Sequence, residues 1–197
     1  MVKIRYFRKC FYVLITKLND MNNNSDISSE NIEDIFDVHI KRELVDKDVD
    51  ATMKTMVKEP YVHLVPVLTG GKGYDEVYNF YKKDFIGKTP KDFKVTNISR
   101  TVSKDQVVGE LILSFTHDIE MDYILPGVPP TGKHVEIPFI IIMKFDGNKI
   151  AHEHFYWDQA SLLAQVGMID TKGLPIKGIE QAKKLLDISR KNIETGK

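Results

Sequence analysis

The chain has 197 residues, 42% of them hydrophobic and 28% charged, with Lys plus Arg and Asp plus Glu each totalling 28. These values suit one globular domain of about 120 to 150 residues with tails, and exclude a disulfide scaffold, a collagen-like repeat and disorder throughout. A zero net charge without a basic stripe argues against nucleic acid as a partner, and the single Cys10 forms no internal disulfide, which fits a cytoplasmic setting.

Residues 1–28 read as a flexible N-terminal appendage. Its basic start carries a short apolar run from Phe11 to Ile15, well below the roughly 20 apolar residues of a membrane span. An Asn-rich linker follows from Met21, where translation could also begin. The domain proper is expected over residues 29–170. Ser28 or Ser29 can cap a first helix with Ile32, Ile35, Phe36, Ile40 and Leu44 at helical spacing. Asp48 or Asp50 opens a second, running through Met53, Met56 and Val57 until Pro60 closes it. Tyr61 to Leu68 is a strand broken by Pro66, which places it at an edge or a bulge, and Gly70 to Gly73 is a turn. A third helix carries Val77, Phe80, Tyr81 and Phe85 and stops at Gly87.

A meander follows over Phe93–Val102, Val107–His117, His134–Phe145 and Lys149–Trp157, with Lys104-Asp105 and Asp146-Gly147-Asn148 as turn signals. The run Ile137 to Met143 is apolar at both parities, so that strand is covered on both faces. Helices cover one face; a second subunit or the C-terminal segment covers the other, and a homodimer through the outer sheet face is the expectation. Between the second and third strands of the meander lies the stiff loop Leu125-Pro-Gly-Val-Pro-Pro-Thr-Gly. Asp158 caps a short helix over Gln159–Gln165, and residues 171–197 form a C-terminal extension with an amphipathic helix near Ile179–Ile188.

This order of elements resembles the SnoaL-like polyketide cyclase group of the nuclear transport factor 2-like superfamily, over about residues 31 to 170. The resemblance is carried by Pro130-Thr-Gly-Lys, by the hairpin Phe145-Asp-Gly-Asn-Lys-Ile-Ala-His-Glu-His, and by the ending Tyr156-Trp-Asp-Gln-Ala-Ser-Leu-Leu-Ala-Gln-Val-Gly. It implies an α+β fold in which a curved antiparallel sheet, wrapped by N-terminal helices, forms a cone around an apolar pocket. The superfamily holds isomerases, dehydratases, cyclases and binding modules, so the fold does not select an activity. SnoaL-like cyclases place a general acid/base aspartate on the final strand; the hairpin count puts Phe155 there, so that aspartate's chemistry does not carry over to this chain.

Strand alternation puts Ala151, Glu153, Phe155 and Trp157 on one face of the last strand and His152, His154 and Tyr156 on the other. In the family register Glu153 faces the cavity, where desolvation would raise its pKa toward that of a proton-shuttling base; the alternative is a salt-bridged or interface glutamate. His117 shares the inner face with Leu111, Leu113 and Phe115, either as an acid/base partner for Glu153 at the pocket mouth or as a structural histidine. His39 and Glu43, four residues apart on the first helix, are pocket liners or the polar margin of the apolar stripe. Tyr61, Tyr123 and Trp157 are candidate aromatic lining, or core.

His152 and His154 have a chelating spacing but no third ligand in register, so no metal is expected. No phosphate loop or dinucleotide fingerprint is present, so no cofactor is expected either, and no nucleophile elbow appears. Proton transfer remains. The sequence supports a cofactor-independent isomerase, dehydratase or cyclase acting on a small apolar carbonyl compound, with Glu153, His117 and His39 as acid/base residues and Glu43, Tyr61, Tyr123, Phe155 and Trp157 around the substrate. The alternative is a small-ligand-binding or dimerisation module.

Overall fold

The computed structural model describes residues 3–5 and 31–195. Helix α1 (Ile32–Lys41) is capped by Asn31 rather than by Ser28 or Ser29: its Oδ1 accepts the Glu33 amide at 3.1 Å, satisfying an otherwise orphaned N–H. Ile32, Ile35 and Phe36 are buried on its inner stripe, and so is His39. The helix then widens into a π-helical turn, Arg42–Asp46, which ends where Lys47 adopts a left-handed conformation and donates to the Arg42 carbonyl. Such turns displace side chains from α-helical register and recur at functional sites. Asp48 caps α2 (Val49–Met53), accepting the Ala51 amide at 2.9 Å.

Two local expectations give way to tertiary pairing. The second helix ends at Met53, and the segment expected to complete it is the start of β2 (Met56–Leu64), which pairs in parallel with β7 (Lys149–Trp157). Pro60, which has no N–H to give, sits in the register break between Met56 and Tyr61, where the ladder needs no donor. Gly70 and Gly71 belong not to a turn but to strand β3 (Thr69–Lys72), antiparallel to β2. A Cβ on Gly70 would meet the Val62 carbonyl, and one on Gly71 the backbone of Glu76, so only glycine lets β3 fit between β2 and α3 (Tyr74–Phe80). After α3 comes a second π-helical turn, Tyr81–Phe85, closed by the Ile86 amide bonding to the Tyr81 carbonyl at 2.8 Å.

The meander forms as expected: β4 (Lys94–Val102), β5 (Gln106–Thr116), β6 (His134–Asp146) and β7. With β1 (Lys3–Arg5) on the β4 edge, the sheet order is β1-β4-β5-β6-β7-β2-β3. The remainder of the expected N-terminal appendage, with Cys10 and the Asn-rich linker, lies outside the described residues. Register shifts at Asn97/Ser99 and Lys144/Phe145 interrupt the ladders, and such bulges increase the twist that curls a sheet. The concave face presents Leu113, Phe115, Ile137, Ile141 and Met143, all buried. Each such side chain contributes about 1.5–3 kcal/mol on burial.

On the convex face, Ile98 and Ile112 are buried beneath Ala182, Leu185 and Leu186 of the C-terminal helix α5 (Glu180–Thr195). Over this part of the sheet the cover is therefore the chain's own C-terminal segment. The short helix α4 (Gln159–Gln165) is capped by Asp158 as expected, the Ser161 amide donating at 3.1 Å. Among the described residues no helix is long and apolar enough to cross a membrane.

Candidate active site

Four buried polar side chains from three parts of the chain meet between the helices and the concave face of the sheet. His39 comes from α1, Glu43 from the π-helical turn that extends it, Tyr81 from the turn after α3, and Glu153 from the concave face of β7. None is more than 3% exposed, so every charge among them must be answered within the protein.

Hydrogen bonding fixes the histidine's orientation. The Thr55 hydroxyl donates to the Thr52 carbonyl at 2.6 Å, so its oxygen is left to accept, and the His39 Nδ1–H is the group that donates to it. The other ring nitrogen, Nε2, lies 3.0 Å from Glu153 Oε1, 3.1 Å from Glu43 Oε1 and 3.3 Å from the Tyr81 oxygen. Tyr81 in turn donates to Glu153 Oε2 at 2.8 Å. The two Oε1 atoms flank the Nε2–H off its axis and have no aligned hydrogen bond, so their hold on the ring is chiefly Coulombic.

Burial by itself would keep the imidazole neutral. The two carboxylates outweigh it and hold the His39 pKa up at about 10. Burial, reinforced by the charge of Glu153, pushes Glu43 up, although His39 pulls against it. Two like charges about 4 Å apart repel by about 4 kcal/mol at an effective dielectric near 20. His39 and Glu153 therefore make the closer ion pair, and Glu43 is the carboxyl whose proton affinity the cluster raises. Tyr81 is held well above the ordinary phenol range by burial and then by the two glutamates, and stays a neutral donor. The nitrogen and the two carboxylate oxygens all lie within 4.8 Å of one another, a spacing that a divalent cation also tolerates.

Beside the cluster is a cavity of about 80 Å³. Its walls are Phe80, Leu113, Phe139, Ile141, Phe155 and neighbouring apolar side chains, and Glu43, Tyr81, Tyr123, Asp37, Asn97 and Arg100 line it as well. Arg100 is neutralised by Asp37 at 2.7 Å and lies over the Phe36 ring. Tyr123 is buried with its hydroxyl unpartnered, and burial pushes that phenol up.

Of the residues singled out from sequence, Glu43, Tyr123 and Phe155 line the cavity, while His39 and Glu153 form the ion pair adjoining Glu43 and Tyr81. His117 does not join them. Its backbone is clamped to Lys133, Thr131 and Gly132 at the end of the proline loop, its Nδ1 reaches Thr131 at 3.3 Å, and burial lowers its pKa. Tyr61 stacks on His152, and Trp157 stacks on Phe139 while donating to Gln159; neither lines the cavity. Sequence reasoning missed Tyr81 and Thr55. Tyr81 fitted the apolar stripe of its helix, and Thr55 lay inside a segment read as helical; neither carried a signal of its own.

A curved sheet closing on helices around one buried polar cluster defines a cone-shaped fold of the nuclear transport factor 2 and ketosteroid isomerase kind. The model of the SnoaL-like polyketide cyclase family matches residues 40–166, and the chain belongs to that family. Among solved structures it is similar to a protein provisionally assigned as a SnoaL-like polyketide cyclase from Jannaschia sp. CCS1, at 16% identity and a TM-score of 0.57, covering 75% of this chain and 100% of that one. IdmH from Streptomyces antibioticus, provisionally a polyketide cyclase, is 20% identical with a TM-score of 0.51, covering 70% and 99%. A ketosteroid isomerase-like protein from Catenulispora acidiphila, bound to trimethylamine, is 12% identical with a TM-score of 0.53, covering 68% and 93%. These likenesses are of fold. No curated protein sequence matches the chain significantly.

Proposed function

We propose that the protein is a cofactor-independent acid/base enzyme, an isomerase, dehydratase or cyclase, acting on a small apolar carbonyl compound. The observation that carries this is that Glu43, whose proton affinity is raised by burial and by Glu153, is one of the residues lining an apolar cavity. General acid/base catalysis needs a group whose proton is exchanged near working pH, held where water is scarce. Family membership and the cyclase-like relatives favour an enzyme of this type.

In this reading the substrate carbonyl accepts from the unpartnered Tyr123 hydroxyl, which stabilises the oxyanion as it develops. Glu43 in its carboxylate form removes the adjacent carbon-bound proton and returns it at another atom. Glu153, expected from sequence to be the base, instead holds His39 in its charged form, and His39 with Tyr81 sets the proton affinity of Glu43. Phe155, at the position of the family's aspartate, forms cavity wall. At about 80 Å³ the cavity is about half the size of the engineered cavities of about 150 Å³ that bind benzene, so as it stands it limits the substrate to a very small molecule.

The test is solvent-deuterium incorporation into a panel of small ketones and enones, followed by NMR. The expected result is exchange by the wild type that falls by about 10²- to 10⁴-fold in Glu43→Gln. Binding of the same compounds without exchange would support the second reading, a ligand-binding module, which Phe155 on the cavity wall favours. The homodimer reading attaches to the outer face left beside α5, where Tyr156 is 40% exposed next to His154. A monomeric mass by sedimentation would end it.

A further inference from the structure

His39 stands between two cavities. At about 3.6 residues per turn, Phe36, Ile40 and Glu43 point to one side of α1 and Ile35, Val38 and Arg42 to another, with His39 at the seam. The first set lines the apolar cavity. The second lines a separate surface cleft of about 260 Å³, completed by Thr55 with Ala51, Lys54, Asn148 and Lys149. Lys54, Asn148 and Lys149 are exposed, so this cleft opens to solvent. Thr55 is the residue common to both sides: its Oγ1 accepts from His39 Nδ1, and it is one of the residues that line the cleft.

We propose that the Thr55 hydroxyl relays protons between the buried cluster and water in this cleft, giving the site a proton route to solvent that does not cross the substrate cavity. The step balances in one exchange. The hydroxyl turns from the Thr52 carbonyl to a cleft water and gives that water its hydrogen while Oγ1 takes the His39 Nδ1 proton. Imidazolium plus water becomes neutral imidazole, protonated at Nε2, plus hydronium; the reverse reloads the ring. Arg42, Lys54 and Lys149 around the cleft disfavour hydronium, so anionic buffers such as phosphate are the better acceptors there.

The proposal deepens the acid/base reading, but its test reads His39 alone and needs no substrate, so either can fail without the other. Exchange of the His39 Nδ1 proton with water is measured by NMR on full-length protein labelled with ¹⁵N-histidine, the signal being assigned with His39→Asn. Thr55→Val keeps the shape and removes the hydroxyl; it should slow exchange by at least about tenfold, with Thr55→Ser close to wild type. Ala51→Leu narrows the cleft and leaves the hydroxyl in place, and it too should slow exchange, which keeps the test open should Thr55→Val fail to fold. Unchanged or faster exchange in Thr55→Val, as a mere plug would give, overturns the proposal. So does an unchanged rate in Ala51→Leu.

Discussion

The two faces of β7 treat the histidines packed there in opposite ways. On the concave face Glu153 meets His39 with neither exposed, and the carboxylates drive that imidazole's pKa up to about 10. On the convex face, one residue to either side, His152 and His154 stack on each other in half-buried positions, with Tyr61 stacked on His152 and tilted against His154, and their pKa values go down. Partial burial is the main cause there, followed for His152 by His154 and Lys144, and for His154 by His63. What a histidine does in this protein is set by which face supplies its neighbours: carboxylates inside, imidazoles and a lysine outside.

The comparison breaks most severely when the inner charge loses its answer. Glu153→Ala leaves an imidazolium buried with only Glu43 near it, and should cost about 3–5 kcal/mol of stability in urea titration. The next effect is a pH slope. His39 has a folded pKa above its unfolded value, so its stabilisation is complete below about pH 6.5 and is lost as pH rises toward about 10. The unfolding free energy should decline across that window by up to about 1.4 kcal/mol per pH unit, and His39→Gln should flatten the decline. The smallest effect belongs to the outer face. His152 and His154 have depressed folded pKa values, so their contribution is present above the unfolded value and fades as pH falls through the folded one. His154→Phe should change stability by less than about 1 kcal/mol at pH 7.

Much of this contrast was legible before any coordinates. Strand alternation alone separates Glu153 from His152 and His154, and the four-residue spacing alone puts His39 beside Glu43. What periodicity could not supply was the identity of the partners. Tyr81 reaches Glu153 across 72 residues of sequence, through a π-helical turn that no apolar pattern announces. Thr55 owes its place to the parallel pairing of β2 with β7, which overrode a helical pattern ending at Pro60. His117 shows the converse failure. Its parity was read correctly and it is buried, yet the proline loop clamps it away from the cluster, because parity gives a face and not a position along it.

The account turns on His39 being a buried imidazolium whose Nδ1–H is given to Thr55. A ¹⁵N-NMR titration of histidine-labelled protein measures this directly. It should show one of the six histidines doubly protonated through neutral pH and titrating near 10, absent in His39→Asn. A His39 signal that is neutral at pH 7, titrating at or below 6.5, would contradict the ion pair and the acid/base reading built on it.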